Sequence, residues 1–302
     1  MTKELKRKTM ANRVFVTCVA LLFGSSCFSQ ADSIPAQSNT KRLKSFIIIG
    51  GSGYTASMVG LNQLWYKDAG KQSFAFFNDS RQWKQLDKAG HFYSAFHLSQ
   101  ATSKSLQWCD VNTKKAHLWG SVTGFLMLLP IEIFDGFSVD YGASTTDLLA
   151  NAGGAAFYLG QTVLWNEVRL HPKISFQRTP YPALRNDNTL GNGLISELVK
   201  DYNGQTYWLS IDTDKFIRFP KWLNLAVGYG ADGMVYATNQ QNQLAGFRAN
   251  RQFYLGLDFD LTHIRSRSKL LNTALYILNL VKLPAPAIEL SGGDVSFNVF
   301  QF

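Results

Sequence analysis

An α+β fold is predicted, with an N-terminal four-helix bundle followed by an antiparallel, helix-covered β-sheet. Three observations predict it. Apolar and small residues recur at helical spacing from Ser45 to Trp165, the period changes to two from Gln205 onward, and a stretch rich in Pro, Asn and Gly, 171–204, separates the two patterns. At 302 residues the chain can bury a core in each half.

The N-terminus sets the compartment. MTKELKRKTMANRVFVTCVALLFGSSCFSQ has a basic start, an apolar run from Val14 to Phe23 and then small residues. That is the layout of a secretory signal peptide over 1–29, with a linker over 30–44. Two processing routes fit: cleavage after Ser29, or acylation at Cys27 after GSS, where Gly24 stands in place of the bulky aliphatic residue usual in lipoproteins. The expectation is an exported chain, periplasmic and associated with the outer membrane. Its formal charge of +9 overstates the mature surface, because residues 1–29 hold a net +4. No basic stripe with interleaved aromatics occurs, which excludes a nucleic-acid surface. Cys18 and Cys27 fall within the signal region, so Cys109 is left alone and no disulfide framework exists.

The helical half, 45–170, divides into four. The first helix lies in the uncharged run 45–66, the second spans about Trp83 to Ser105, the third about Ala116 to Asp135, and the fourth Ser144 to about Arg169. Pro130 should kink the third, and Gly136 just beyond it is a stop signal. In the fourth, STTD at 144–147 reads as a capping box, while Ala152, Ala156 and Gly160 make a small-residue stripe suited to close backbone approach. The uncharged runs meet the length criterion for crossing a bilayer. Their glycines, serines and terminal acids favour buried helices of a compact bundle.

The second half, 205–302, alternates. Tyr207, Leu209 and Ile211 form one strand, Leu223, Leu225, Val227 and Tyr229 another, and Phe253 to Leu261 the cleanest, with Asp258 and Asp260 facing away from its apolar residues. KLLNTALYILNLVKLP carries Leu271, Leu275, Leu278 and Val281 on one helical stripe, which is expected to cover the apolar face of the sheet. VSFNVFQF is the last strand.

Two constellations invite a chemical reading. FIIIGGSGYTAS places Gly51, Gly53 and Ala56 like a dinucleotide-binding turn, with Asp79 where a ribose-binding acid would fall. Helix after helix follows instead of alternating strands, so no nucleotide cofactor, and no cofactor of any other kind, is expected. The second set lies on three helices: Asp87 and His91 at i and i+4, Glu132 and Asp135 at i and i+3, Asp147 and Asn151 at i and i+4. If these faces converge, four acids, an imidazole and an amide share one interior. Such a cluster suits a divalent ion, with His91, Glu132 and Asp135 as candidate ligands, or acid–base chemistry, since crowded buried acids raise one another's pKa. It equally suits a hydrogen-bonded structural network, because buried polar groups pair with one another.

The stretches LWYKDAGKQSFAFFNDSRQWKQLDKAGHFYSAFHLS, IEIFDGFSVDYGASTTDLLANAGGAAFYLG, DYNGQTYWLSID and FPKWLNLAVGYGADGM resemble the YfiM-like family of predicted periplasmic lipoproteins, over about Ser45 to Phe302. More distantly, the acid-x-x-Gly-His of the second helix and DLLANAGG are similar to VanZ-like membrane proteins. The resemblance implies a shared helical core around Asp87, His91, Glu132, Asp147 and Asn151 and assigns no activity. VSFNVFQF also resembles the end of an outer-membrane β-barrel, yet the strands are too few for a closed barrel and an open sheet is expected. Together these point to an envelope component that is structural or binds at a membrane surface or to envelope proteins. The alternative is a metal-dependent or acid–base hydrolase acting on a lipid or cell-wall intermediate.

Overall fold

The computed structural model describes residues 38–66, 69–264 and 266–301, so the expected signal peptide and Cys27 lie outside the described residues. Asn39–Phe302 forms one compact unit. Five helices come first: α1 (Thr40–Leu61), α2 (Leu86–Trp108), α3 (Thr113–Leu126), α4 (Leu129–Gly136) and α5 (Thr145–Trp165). There follow β1 (Leu170–Phe176), α6 (Leu194–Lys200), β2 (Gln205–Ile211), β3 (Leu223–Asp232) and α7 (Asn239–Leu244). The chain ends with β4 (Asn250–Phe259), α8 (Lys269–Leu278), β5 (Ala285–Ser291) and β6 (Asp294–Gln301). Helices plus an antiparallel sheet match the expected class. The four-helix bundle does not form as expected: α2, α3 and α5 pack together, while α1 buries only Met58 and leaves Ile47, Ile48 and Ile49 exposed.

Backbone proximity explains the three-helix packing. A Cβ on Gly124 would stand 2.2 Å from Ser99 Oγ, one on Gly120 2.7 Å from the Ser99 carbonyl, and one on Gly154 2.2 Å from the Phe92 carbonyl. The stripe of α5 that touches α2 is therefore Asn151, Gly154, Ala155 and Tyr158, all buried, rather than Ala152, Ala156 and Gly160. The expected third helix is broken at Met127–Leu128, and Pro130 sits in the first turn of α4, where its missing N–H is not needed. The second helix starts later than its pattern suggests. Trp83, Lys84 and Gln85 all adopt left-handed φ (45°, 51° and 65°), which no apolar spacing encodes.

The sheet is a meander in the order β1-β2-β3-β4-β5-β6, antiparallel throughout. Its edge strand β1 lies across the segments expected to be helix and linker, because inward Lys173 and Ser175 are polar and Pro172, on the other face, is buried as well, which masks the alternation. Registers align outward residues into cross-strand rows, one of which runs Leu209, Val227, Leu255, Ile288 and Phe297. The opposite face carries Trp208, Ser210, Asn224, Tyr254 and Asp258, all buried. The expectation of an apolar face covered by the amphipathic helix is thus overturned. Helix α2 and its leading turn cover Tyr207, Tyr229 and Ala231, but Val227, Leu255, Ile288 and Phe297 remain 44–66% exposed. The α8 stripe is itself exposed at Leu271, Leu278 and Val281, since α8 packs by Tyr276, whose hydroxyl donates to Gln100 Oε1 at 2.8 Å.

The sheet curls around its polar face. Lys173 of β1 reaches across to Asp258 of β4, 2.6 Å away, and donates to the Asn279 Oδ1 and Phe259 carbonyl oxygens at 3.0 and 3.1 Å. Outside β1, Ile174 N donates to the Leu280 carbonyl and Lys282 N to the Ile174 carbonyl. Lys282 Nζ then donates to the Gln301 carbonyl at the end of β6 at 3.2 Å.

The glycine contacts give a paired expectation for α5. Gly154→Ala overpacks the α2 interface and should lower stability by about 1–3 kcal/mol. Gly160→Ala, whose Cβ would meet nothing within 4 Å, should be neutral or stabilising by up to ~1 kcal/mol. Urea titration followed by far-UV circular dichroism measures both.

Candidate functional site

The helical starts assemble a polar centre. Ser144 caps α5, its Oγ accepting from Asp147 N at 3.1 Å, which puts Asp147 in the first turn and Asn151 one turn later on the same face. Glu132 of α4 reaches the same cap, its Oε2 accepting from Ser144 N at 3.0 Å. Opposite stand Asp87, Lys88 and His91 in the first two turns of α2, held to the sheet by the left-handed turn before it: Tyr229 OH donates to the Lys84 carbonyl, and Arg251 donates to Gln85 Oε1 at 2.6 Å.

His91 is bound on both sides. Its Nδ1 lies 3.0 Å from Asn151 Oδ1, within hydrogen-bond distance. Its Nε2 lies 3.8 Å from Asp87 Oδ1, and Glu132 Oε1 lies 3.8 Å from Nδ1. Asp87 Oδ1 also accepts from Tyr202 OH at 2.9 Å. Ligand atoms of Asp87, His91 and Asp147 all lie within 4.8 Å of one another, a spacing that a divalent ion could bridge. Asp135 is turned to Tyr66, whose hydroxyl donates to it at 2.6 Å. Glu132 Oε1 and Asn151 Nδ2 are buried without a hydrogen-bond partner.

Two central residues were not legible as site residues. Lys88 Nζ lies 2.9 Å from both Asp87 Oδ2 and Asp147 Oδ1 and also contacts Asp79. Asp79 in turn accepts from Ser144 Oγ at 2.6 Å and Thr146 Oγ1 at 2.9 Å. The ammonium thus occupies the middle of three carboxylates. The dinucleotide reading that gave Asp79 a ribose-binding role fails, because Gly51, Gly53 and Ala56 lie inside the continuous helix α1 and form no turn. A lysine beside an aspartate is common on solvated helix faces, so nothing in LDKAGH marks Lys88 as central.

Burial and mutual repulsion set the protonation. Burial lifts the Glu132 carboxyl to about 7, and Asp147 and Asp135 add to the rise against the opposing pull of His91. Burial likewise lifts Asp135 to about 7 and Asp147 to about 6, each helped by the Asp87 charge. For His91, burial alone disfavours the imidazolium, but Asp87, Asp147 and Glu132 outweigh it and the pKa rises. Asp79 moves the other way: burial is outweighed by Lys88 and Ser144, and its pKa falls. The arrangement can therefore exchange protons near neutrality, bind a cation, or act as a charge-balanced strut between α2, α4 and α5.

Raised folded-state pKa values at Glu132, Asp135, Asp147 and His91 contribute stability that is present at low pH and lost as pH rises through those values. Stability should accordingly fall from about pH 4, the ordinary carboxylate range, to about pH 7, by several kcal/mol in total, since a rise of one in pKa corresponds to about 1.4 kcal/mol. Glu132→Gln should flatten that slope, and chemical denaturation at closely spaced pH values measures it. Lys88→Met, which strands Asp79, Asp87 and Asp147, should cost about 3–5 kcal/mol at pH 8 and less at pH 5, where Asp147 takes up a proton.

No curated protein and no solved structure matches the chain. A family model does match, over a shorter span than the resemblance drawn from the sequence: residues 74–162, which hold Asp79, Asp87, Lys88, His91, Glu132, Asp135, Asp147 and Asn151 but no strand of the sheet, are similar to the family described as Predicted periplasmic lipoprotein (DUF2279).

Proposed function

We propose that this chain is an exported envelope component that seats on a lipid surface, at the outer membrane, through the outward face of its sheet, with the polar centre of the helices as its structural brace. One observation carries the reading: the sheet buries charged and polar groups beside a small Trp208, Ala226, Tyr254 and Ala287 cluster on its inner face, while its outer face exposes a run of large apolar side chains. Leu255, Ile288, Leu290, Val295 and Phe297 stand 47–71% exposed on one face while Lys173 and Asp258 are buried behind it. A water-facing antiparallel sheet shows the reverse arrangement, and a contiguous apolar patch of this kind marks a protein or membrane contact. At one end of the sheet the β2–β3 connection exposes Phe216, Ile217 and Trp222 among Lys215, Arg218 and Lys221. Aromatic and basic side chains together suit the headgroup layer. Leu118 and Trp119 on the outer side of α3 are exposed as well and add apolar surface. The family description supports periplasmic export.

A second reading, a metal-dependent or acid–base hydrolase, is favoured by the spacing of Asp87, His91 and Asp147 and by the unpartnered Glu132 Oε1. Against it, Lys88 already supplies a positive charge between Asp79, Asp87 and Asp147. Elemental analysis of the purified protein separates the two. One equivalent of a divalent metal, lost in His91→Ala, supports the enzyme; a metal-free protein whose Asp87→Asn variant only melts earlier supports the brace.

Membrane seating has its own expected outcome. In a Cys27→Ser background, which removes any acyl anchor, the protein should float with anionic lipid vesicles. Phe253→Asp with Leu255→Asp should weaken that flotation at least tenfold, each buried side chain being worth roughly 1.5–3 kcal/mol, while leaving the melting temperature within a few degrees because both positions are exposed. Equal flotation of wild type and double variant would overturn the assignment.

A further inference from the structure

A cavity of about 310 Å³ opens between the C-terminal half of α2, the start of α3, the end of α5, β1 and α8, away from the acid–imidazole centre. Its volume falls at the lower end of small-molecule sites, about 300–1,000 Å³, and although carbon atoms still supply the larger share of its surface, few of its lining residues are aliphatic. Here Val168 and Leu280 are the aliphatic members, and the rest are amides, hydroxyls, imidazoles, one lysine and one carboxylate.

The lining is layered. The floor holds Gln100, Tyr158, Thr162 and Asn279, all buried and all neutral hydrogen-bonding groups. The rim holds exposed Lys104, whose ammonium lies 3.8 Å from the centre of the Tyr276 ring. No ion pair forms at Lys104 among the described residues, whereas the single lining carboxylate, Glu167, is neutralised by Arg169 at 3.0 Å and Lys215 at 2.8 Å. The field in the cavity is therefore positive at the rim. His117 and His171 line the same space, and neither adds negative charge: His117 Nδ1 meets Tyr158 OH at 2.8 Å, and His171 Nε2 meets Asp212 at 3.0 Å.

We propose that this cavity binds a small anion bearing several hydroxyl groups, of the phosphorylated-polyol kind, with Lys104 taking the charged end and the amides and hydroxyls of the floor taking the hydroxyls. A neutral sugar leaves the Lys104 ammonium with no counter-anion, and an apolar molecule forgoes the remaining hydrogen-bonding capacity of Gln100, Asn279, Tyr158 and Thr162, which are also bonded within the fold. The same chemistry is offered by a free phosphorylated polyol and by a lipid headgroup built on glycerol phosphate.

Isothermal titration calorimetry on the full mature protein, with sn-glycerol 3-phosphate, glycerol and inorganic phosphate as probes, tests this. Saturable binding of glycerol 3-phosphate is expected, tighter than that of glycerol or phosphate alone, and weakened about tenfold in Lys104→Ala, the scale of a lost charge-assisted hydrogen bond. Alanine at an exposed helical position keeps the fold, which an unchanged melting temperature verifies. Absence of saturable binding, equal affinity for glycerol, or unchanged affinity in Lys104→Ala would overturn the proposal. In a further arm with phosphatidylglycerol vesicles, run in the Phe253→Asp with Leu255→Asp background so that sheet seating does not mask the cavity, sensitivity of binding to Lys104→Ala identifies the headgroup as the source, and absent or insensitive binding identifies the free compound. Because Phe253 and Leu255 lie on the sheet face and not in the cavity, loss of vesicle flotation in their variants with calorimetric binding intact would separate failure of the membrane reading from failure of this one.

Discussion

The ion pair between Lys173 and Asp258 is the contact on which the sheet half depends. All three ammonium N–H groups are used, on Asp258, Asn279 and the Phe259 carbonyl, and Asp258 Oδ2 accepts in addition from Ser210. A charge buried to this degree is tolerable only when paired and hydrogen-bonded. Because the pair spans β1 to β4, two strands that are not neighbours in the sheet, it holds the curl that gathers the polar side chains inside. Lys282, over the Trp208 ring and bonded to the end of β6, extends the same restraint to the far edge.

The helical half obeys the same rule. Lys88 is to Asp79, Asp87 and Asp147 what Lys173 is to Asp258, a cation set among carboxylates, here buried at Asp147 and part-buried at Asp79 and Asp87. In both halves the polar groups are gathered inward, and the apolar residues they displace appear on the surface, as Ile48 and Ile49 on α1, Leu118 and Trp119 on α3, and the outward rows of the sheet. Apolar surface of that extent is unfavourable in water and favourable against lipid. The interior charge pairing and the exposed apolar rows are thus two sides of one arrangement, and the proposed membrane seating rests on the second.

The polar centre is fixed from two directions. Close glycine contacts hold α2 against α3 and α5, which sets the distance from Asp87 and His91 to Asp147 and Asn151. Three consecutive left-handed residues, Trp83 to Gln85, then aim the start of α2 at the sheet, where Tyr229, Arg251 and the Ala237 carbonyl hold them. Non-glycine residues in that region cost roughly 1–3 kcal/mol each and persist only when their surroundings over-determine them. The helical centre and the sheet are therefore mechanically joined, although the family match covers only the former.

The sequence by itself determined the main helices and the central strands, though not β1 or β5 or the break before α4, together with the pairing of Asp87 with His91 and of Asp147 with Asn151 on single helix faces, and the Ser144 cap. These follow from local spacing, which a chain carries without reference to its neighbours. What it did not determine was which face of each element is turned inward. Alternation in FYLGLDFDL separates Leu255 from Asp258 but is indifferent to which of them meets solvent, and only Lys173, about eighty residues earlier in the chain, decides it by pairing with Asp258. The place of Lys88, the outward turn of Ala152 and Ala156, and the left-handed turn at Trp83 were likewise decided by partners distant in sequence, because burial and charge neutralisation are properties of the assembled fold and not of any one segment.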